Sequence, residues 1–162
     1  MPWLRSLLTT STNDAYNTVQ EDTDANFSLR QALTRVSDDL RQSSASIIQI
    51  TSGVDSDSID LQMPISQVGT TVNWGAAGTA GWHVRIMVDD NRWLIRRVVD
   101  ADNISQQTDV VLARDVDTLF QGQKGFSVTP TDGLYQISLR VTAQRGERVW
   151  RRTETTSVQT RN

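Results

Sequence analysis

The chain has 162 residues, of which 37% are hydrophobic and 22% are charged, and this composition is typical of one globular domain on the polar side. Its net charge of −3 argues against a protein built mainly to hold nucleic acid or an anionic membrane surface. The chain has no cysteine, so thiol nucleophiles, disulfides and cysteine-type zinc sites are excluded.

The strongest pattern along the chain is an amphipathic helix over Phe27–Gln42. One stripe of a 3.6-residue helix carries its apolar residues, which are Leu29, Ala32, Leu33, Val36 and Leu40. Residues 1–26 are rich in Thr, Asn and Asp, which favour caps and turns over helix interiors. We interpret residues 1–26 as a polar leader that contains the start of this helix, and the alternative is a disordered leader.

After the helix the chain shows only strand patterns. The clearest hairpin runs from Trp82 to Val99 through the turn Asp89-Asp90-Asn91, and the strictest alternation of apolar and polar residues runs from Tyr135 to Ala143. Helices and strands do not alternate, which predicts an α+β fold with an N-terminal amphipathic helix packed on antiparallel sheet. Residues 27–162 are expected to form a single domain.

Patterns typical of catalytic or metal sites are weak. The only histidine, His83, lies on the polar face of a predicted strand and is interpreted as a surface residue. Asp55, Asp57 and Asp60 resemble ligands of a hard cation, but the loop lacks the glycine and terminal glutamate of an EF-hand, so a solvated acidic loop is preferred to a calcium site. We therefore predict a non-enzymatic protein with no cofactor, no metal and no small-molecule substrate.

Several arginines near the C-terminus could form a basic strip on the surface. They are interleaved with Trp150, Glu147 and Glu154, so a solvated sheet edge is preferred to binding of single-stranded nucleic acid. The arginines in question are Arg140, Arg145, Arg148, Arg151, Arg152 and Arg161.

The order of motifs resembles the soluble part of type IV pilin-like proteins, and most closely the J-type minor pseudopilins of type II secretion and related minor pilins. In that family the first helix often reads L-x-R-x-x-x-D-L-R-Q-A. The matching residues here are Leu33, Arg35, Asp39, Leu40, Arg41 and Gln42, with Ser43 in place of the alanine. The segments NRWLIRRVV and VVLARDVDTLFQ and the ending Arg161-Asn162 are also similar to family segments. The apolar N-terminal helix of the family is not among these residues, so the resemblance implies a soluble domain without its membrane half.

The resemblance implies a structural subunit of a type IV filament or a type II secretion pseudopilus. A complex at the tip of such an assembly is one position that it could occupy. Its partners would be other pilin-like subunits, and its location would be the bacterial cell envelope, with the membrane reached only through the missing helix. The alternative is a free-standing structural or binding domain, such as a capsid-like or adhesion module. Candidate partner contacts are Arg30, Arg35, Asp38, Arg41, Trp74 and Trp82, with ordinary core packing as the alternative for both tryptophans.

Overall fold

The computed structural model describes residues 26–44, 47–62, 64, 66–69, 71–73, 83–100, 102, 104–145 and 148–160. Residues 26–42 form helix α1. Ten strands follow, namely β1 (Ile48–Ser52), β2 (Asp57–Gln62), β3 (Ser66–Val68), β4 (Thr71–Asn73), β5 (His83–Val88), β6 (Leu94–Val99), β7 (Val110–Ala113), β8 (Phe126–Thr131), β9 (Leu134–Arg145) and β10 (Arg148–Gln159). Within these ranges, no helix is both long and apolar enough to cross a lipid bilayer.

The strands form antiparallel sheets. A five-stranded sheet has the order β1-β2-β5-β6-β7, a three-stranded sheet has the order β10-β9-β8, and β3 pairs with β4. The two larger sheets adjoin where β2 meets β8, since Ser56 and Phe126 form a parallel bridge and the Val128 N–H donates to Asp57 Oδ2 at 3.0 Å. This topology leaves β1, β7, β8 and β10 at sheet edges.

The predicted α+β fold, with an N-terminal helix packed on the sheet in a pilin-like arrangement, is wrong. The described part of the chain is mainly β, and α1 is its single, short α-helix. The prediction requires one helix to supply the hydrophobic face for all the strands. Instead, both larger sheets send side chains into one shared cluster, and most of that cluster comes from strands, including Ile59, Ile86, Phe126 and Ile137. Because the two larger sheets bury each other's apolar side chains, they need much less helical surface to cover them than the prediction assumes.

The local patterns are more accurate than the predicted class. Residues 27–42 are helical, and every residue of the predicted apolar stripe is buried, with exposures of 5% or less. In β9, Tyr135, Ile137, Leu139 and Val141 are buried, as the alternation predicts. For α1 and β9, periodicity therefore identifies which side of the element is buried, although it does not identify what lies against that side.

A buried ion pair fixes the position of α1 relative to β6. Arg96 Nε donates to Asp39 Oδ2 at 2.7 Å, and the two side chains are only 9% and 6% exposed. A second hydrogen bond joins Arg96 Nη2 to Asp39 Oδ1 at 3.2 Å, so the contact is bidentate. Since β6 pairs with β7, this ion pair also places α1 beside the edge strand β7.

Candidate functional site

A groove of about 580 Å³ runs between α1 and the edge strand β7. The helix lines one wall, and β7 lines the other with Val111 and Leu112. The helix residues at the groove are Phe27, Arg30, Gln31, Ala32, Thr34, Arg35 and Asp38. The groove exists because α1 is tied to β6 through Asp39, whereas β7 is the last strand of its sheet.

Apolar side chains are exposed at this groove. Phe27 is 63% exposed, Val111 is 37% exposed, and Val110 next to it is 52% exposed. Phe27 stands two positions before Leu29, or about 200° around the helix, so it cannot join the buried stripe. A cluster of large apolar side chains on the surface is a feature of protein contact sites.

The groove also carries positive charge. Arg30 Nε lies 3.6 Å from Glu154 Oε1, but its side chain is 74% exposed, so this ion pair is weak. Asp38 is already paired, since it accepts a hydrogen bond from Arg41 Nη1 at 2.9 Å. Arg35 is exposed, and none of the described carboxylates lies within ion-pair distance of it. The groove therefore suits a ligand with apolar and acidic groups.

The predicted contact residues separate into three groups. Arg30, Arg35 and Asp38 line the same groove, which the sequence alone does not predict. Arg41 lies one turn further along α1 and reaches the groove only through its bond to Asp38. Trp74 and Trp82 lie outside the described residues, so their predicted contacts stay predictions.

Sequence reasoning misses Phe27 and the valines of β7. Phe27 carries a usable signal, because it is the one large apolar residue of the helix that falls off the stripe. Val110 and Val111 give no such signal, because a short apolar run is equally consistent with a central strand. Their exposure follows from the position of β7 at the sheet edge, which depends on pairing between distant segments.

A second polar cluster centres on Asp117 and locks the segment between β7 and β8 against β9. Arg140 Nε donates to Asp117 Oδ2 at 2.8 Å, and Arg151 Nε donates to the same oxygen at 2.9 Å. Arg140 Nη2 also donates to the carbonyls of Thr118 and Gln123, at 2.8 Å and 2.7 Å. The Arg140 side chain is only 4% exposed, and its donors are used within the protein, so this cluster is structural.

The electrostatics of Asp117 agree with a structural role. Burial by itself raises the pKa of a carboxyl, but the pKa of Asp117 is lowered because hydrogen bonds from the Arg151 guanidinium and the Thr118 N–H, together with the charge of Arg140, outweigh that effect. The Thr142 hydroxyl is buried and has no hydrogen-bond partner among the described residues, so the lowered pKa is attributed to the two arginines and the Thr118 N–H. The preferred interpretation of the C-terminal arginines as a solvated edge is therefore incorrect for Arg140.

The acidic loop differs from both sequence interpretations. Asp57 is 6% exposed, forms an ion pair with Lys124 and accepts a bond from the Val128 N–H. Asp60 accepts from Arg85 Nε at 2.7 Å, and Asp55 accepts from the Leu119 N–H at 3.0 Å. Each aspartate thus has its own protein donor, and the loop is not simply solvated.

No set of three or more histidine and acidic side chains in the described ranges is placed to hold a metal ion. The groove between α1 and β7 has binding character of another kind, because it combines exposed apolar side chains with two exposed arginines. The chain matches no protein-family model, no curated protein and no solved structure.

Proposed function

We propose that this chain is a non-enzymatic structural subunit that docks another subunit in the groove between α1 and β7. The observation that carries the proposal is the exposed Phe27, which lies at the groove with Arg30 and Arg35, opposite the strand β7 that ends the five-stranded sheet among the described residues. Exposing a phenylalanine leaves its apolar area in water, at about 25 cal/mol for each Å² not buried. A partner that covers Phe27 and the valines recovers that free energy.

The kind of assembly is proposed from the resemblance of a motif in α1 to the first helix of pilin-like proteins. The L-x-R-x-x-x-D-L-R-Q motif of α1 supports a minor pilin or pseudopilin of a type IV filament or of type II secretion. Within this motif, Arg35 lines the groove and Asp39 holds α1 to β6. The same residues that carry the resemblance thus also shape the proposed contact. In this proposal the subunit belongs to the bacterial cell envelope, among other pilin-like subunits.

The geometry of the contact fits a filament or tip. The groove joins one side of α1 to one edge of the five-stranded sheet, so a partner seated there would present a different surface in return. Such a heterologous contact does not close on itself, and it extends an assembly in one direction. Small filament subunits and tip complexes are built from contacts of this kind.

Site-specific photo-crosslinking in the native cell tests the proposal. A benzophenone amino acid is placed at position 27, in the groove, and at position 134 as a control. Leu134 is 44% exposed and lies at the start of β9, away from the residues that line the groove. We expect a crosslink from position 27 to a pilin-like subunit, identified by mass spectrometry, and none from position 134.

Two outcomes would contradict the proposal. Equal crosslinking from both positions would mean that the groove has no special role. A monomeric protein that crosslinks to nothing from position 27 would favour the alternative of a free-standing structural or binding domain.

A further inference from the structure

The four edges of the two larger sheets are protected differently, and β7 is the exception. Exposed edge strands usually carry charges, proline or polar side chains that discourage further pairing. Strand β10 carries Arg151, Arg152 and Glu154, β8 carries Pro130, and the exposed residues of β1 are Gln49, Thr51 and Ser52. Strand β7 reads VVLA, with two exposed valines and no charge or proline, and its one irregularity is a shift of its register with β6 between Leu94 and Ile95.

Within the part of the chain that the structure describes, one edge of β7 has no strand paired to it. Its only strand partner among the described residues is β6, with Ile95 opposite Val111 and Arg96 opposite Val110. Along a strand, backbone N–H and C=O groups point alternately to both sides, so those on the outer side of β7 have no strand partner among the described residues. These groups are donors and acceptors that an added strand would satisfy.

The dimensions of the groove suit an extended peptide. The four residues of β7 span about 13 Å at about 3.3 Å per residue. The helix wall from Phe27 to Asp38 spans about 16 Å at about 1.5 Å per residue. An added strand of about four to six residues would therefore run along the whole of both walls.

Charge indicates what kind of strand fits. Arg96 points to α1, so alternate residues of an added strand would face α1, where Arg30 and Arg35 are exposed. The residues between them would lie next to Val111, which pairs with Ile95 and gives the groove an exposed apolar border. Acidic residues on one side and apolar residues on the other match this environment.

We infer that the partner of this groove is an extended segment, alternately acidic and apolar, that adds to β7 as a further strand of the five-stranded sheet. The inference rests on the proposed function, since it specifies how the partner subunit is held. Main-chain hydrogen bonds to β7 would supply affinity, and the arginines of α1 would supply the preference for acidic side chains.

The test uses three synthetic peptides and the 162-residue chain, followed by NMR titration of backbone amides. The first peptide is acetyl-EVEVEV-amide, the second is its lysine counterpart acetyl-KVKVKV-amide, and the third is the acidic peptide with its four central amides N-methylated. We expect the acidic peptide to shift amide signals of β7 and α1. The lysine and N-methylated peptides should bind at least about tenfold more weakly, because they lose the charge match or the main-chain bonds.

Variants of the chain sharpen the test. Arg35→Glu should weaken binding of the acidic peptide and strengthen binding of the lysine peptide. Val111→Glu should weaken binding of the acidic peptide about tenfold, because it places a like charge on the edge where the peptide would add. Val149→Glu is the matched control, since Val149 is a 49% exposed valine on the edge strand β10. It should leave binding unchanged.

Equal binding of the methylated and unmethylated peptides would overturn strand addition, and so would no binding of the acidic peptide at millimolar concentration. If position 27 still crosslinks to a subunit in cells, the groove contact stands and only the strand mechanism fails. If neither experiment succeeds, the proposed function fails as well.

Discussion

Replacing Asp117 by alanine should strongly destabilise the protein, because it removes the carboxylate that Arg140 and Arg151 share. Arg140 is the critical partner, since its side chain is 4% exposed and cannot reach solvent without moving the segment between β7 and β8. Breaking a buried ion pair from one side costs about 3–5 kcal/mol, because a charge is left buried without compensation. Arg140 keeps its bonds to two backbone carbonyls, so we expect the lower end, about 3 kcal/mol.

Thermal and urea unfolding measure this loss. For a chain of this size, about 3 kcal/mol corresponds to a decrease in Tm of about 6–12 °C. A matched control is Asp38→Asn, which removes a surface pair with Arg41 whose side chains are 45% and 56% exposed. The control should change stability by about 0.5 kcal/mol or less. If Asp117→Ala and Asp38→Asn melt within a degree or two of each other, the structural role assigned to the Asp117 cluster is wrong.

Three further predictions concern the fold. Leu33→Asp places an unpaired charge at a 5% exposed site and should cost several kcal/mol, seen as loss of cooperative unfolding near room temperature. Gly125→Ala should lower Tm by several degrees, because an added Cβ would lie 1.7 Å from the Asp117 carbonyl oxygen and the backbone would have to shift. An unchanged Tm would contradict this close approach. The pKa of Asp109 is lowered by its hydrogen bond from Arg97, so that bond stabilises the protein above the unfolded-state pKa of about 3.8 and is lost as pH falls through the lower folded-state value. Urea titrations should therefore show that the free energies of unfolding of wild type and Asp109→Asn differ by about 1 kcal/mol or less at about pH 6, and that this difference shrinks below about pH 4. A difference that stays constant with pH would refute the assignment.

Local periodicity is enough to predict the helix over 27–42 and the buried face of β9. Both rely on the repeat of side-chain direction, which is a property of the backbone and needs no knowledge of tertiary contacts. Val36 shows how little else is needed, since valine is a weaker helix former than leucine and yet occupies the stripe at 0% exposure. The α+β prediction fails at the level of tertiary packing, because periodicity does not say whether a buried face meets a helix or another sheet.

The charged residues show a different limit of sequence reasoning. Asp39 and Arg96 are 57 positions apart, and Asp117 and Arg140 are 23 apart, so no local spacing predicts either pair. Each of these residues looks like a surface charge in the sequence, since charged side chains are rarely fully buried. Only the pairing of strands brings each charge to its partner and allows both to be buried.

Only one wall of the candidate groove can be predicted from local sequence, because the other wall depends on how distant segments pair. Arg30, Arg35 and Asp38 can be chosen from the sequence because they lie off the apolar stripe of α1. The other wall depends on β7 being the last strand of its sheet, which follows from the order β1-β2-β5-β6-β7 and not from the residues VVLA. The same four residues in a central strand would be ordinary core. At the edge of the sheet that the described strands form, and beside an exposed Phe27, the two valines are exposed without a charge or proline in the strand, and that position is the physical reason to expect a partner there.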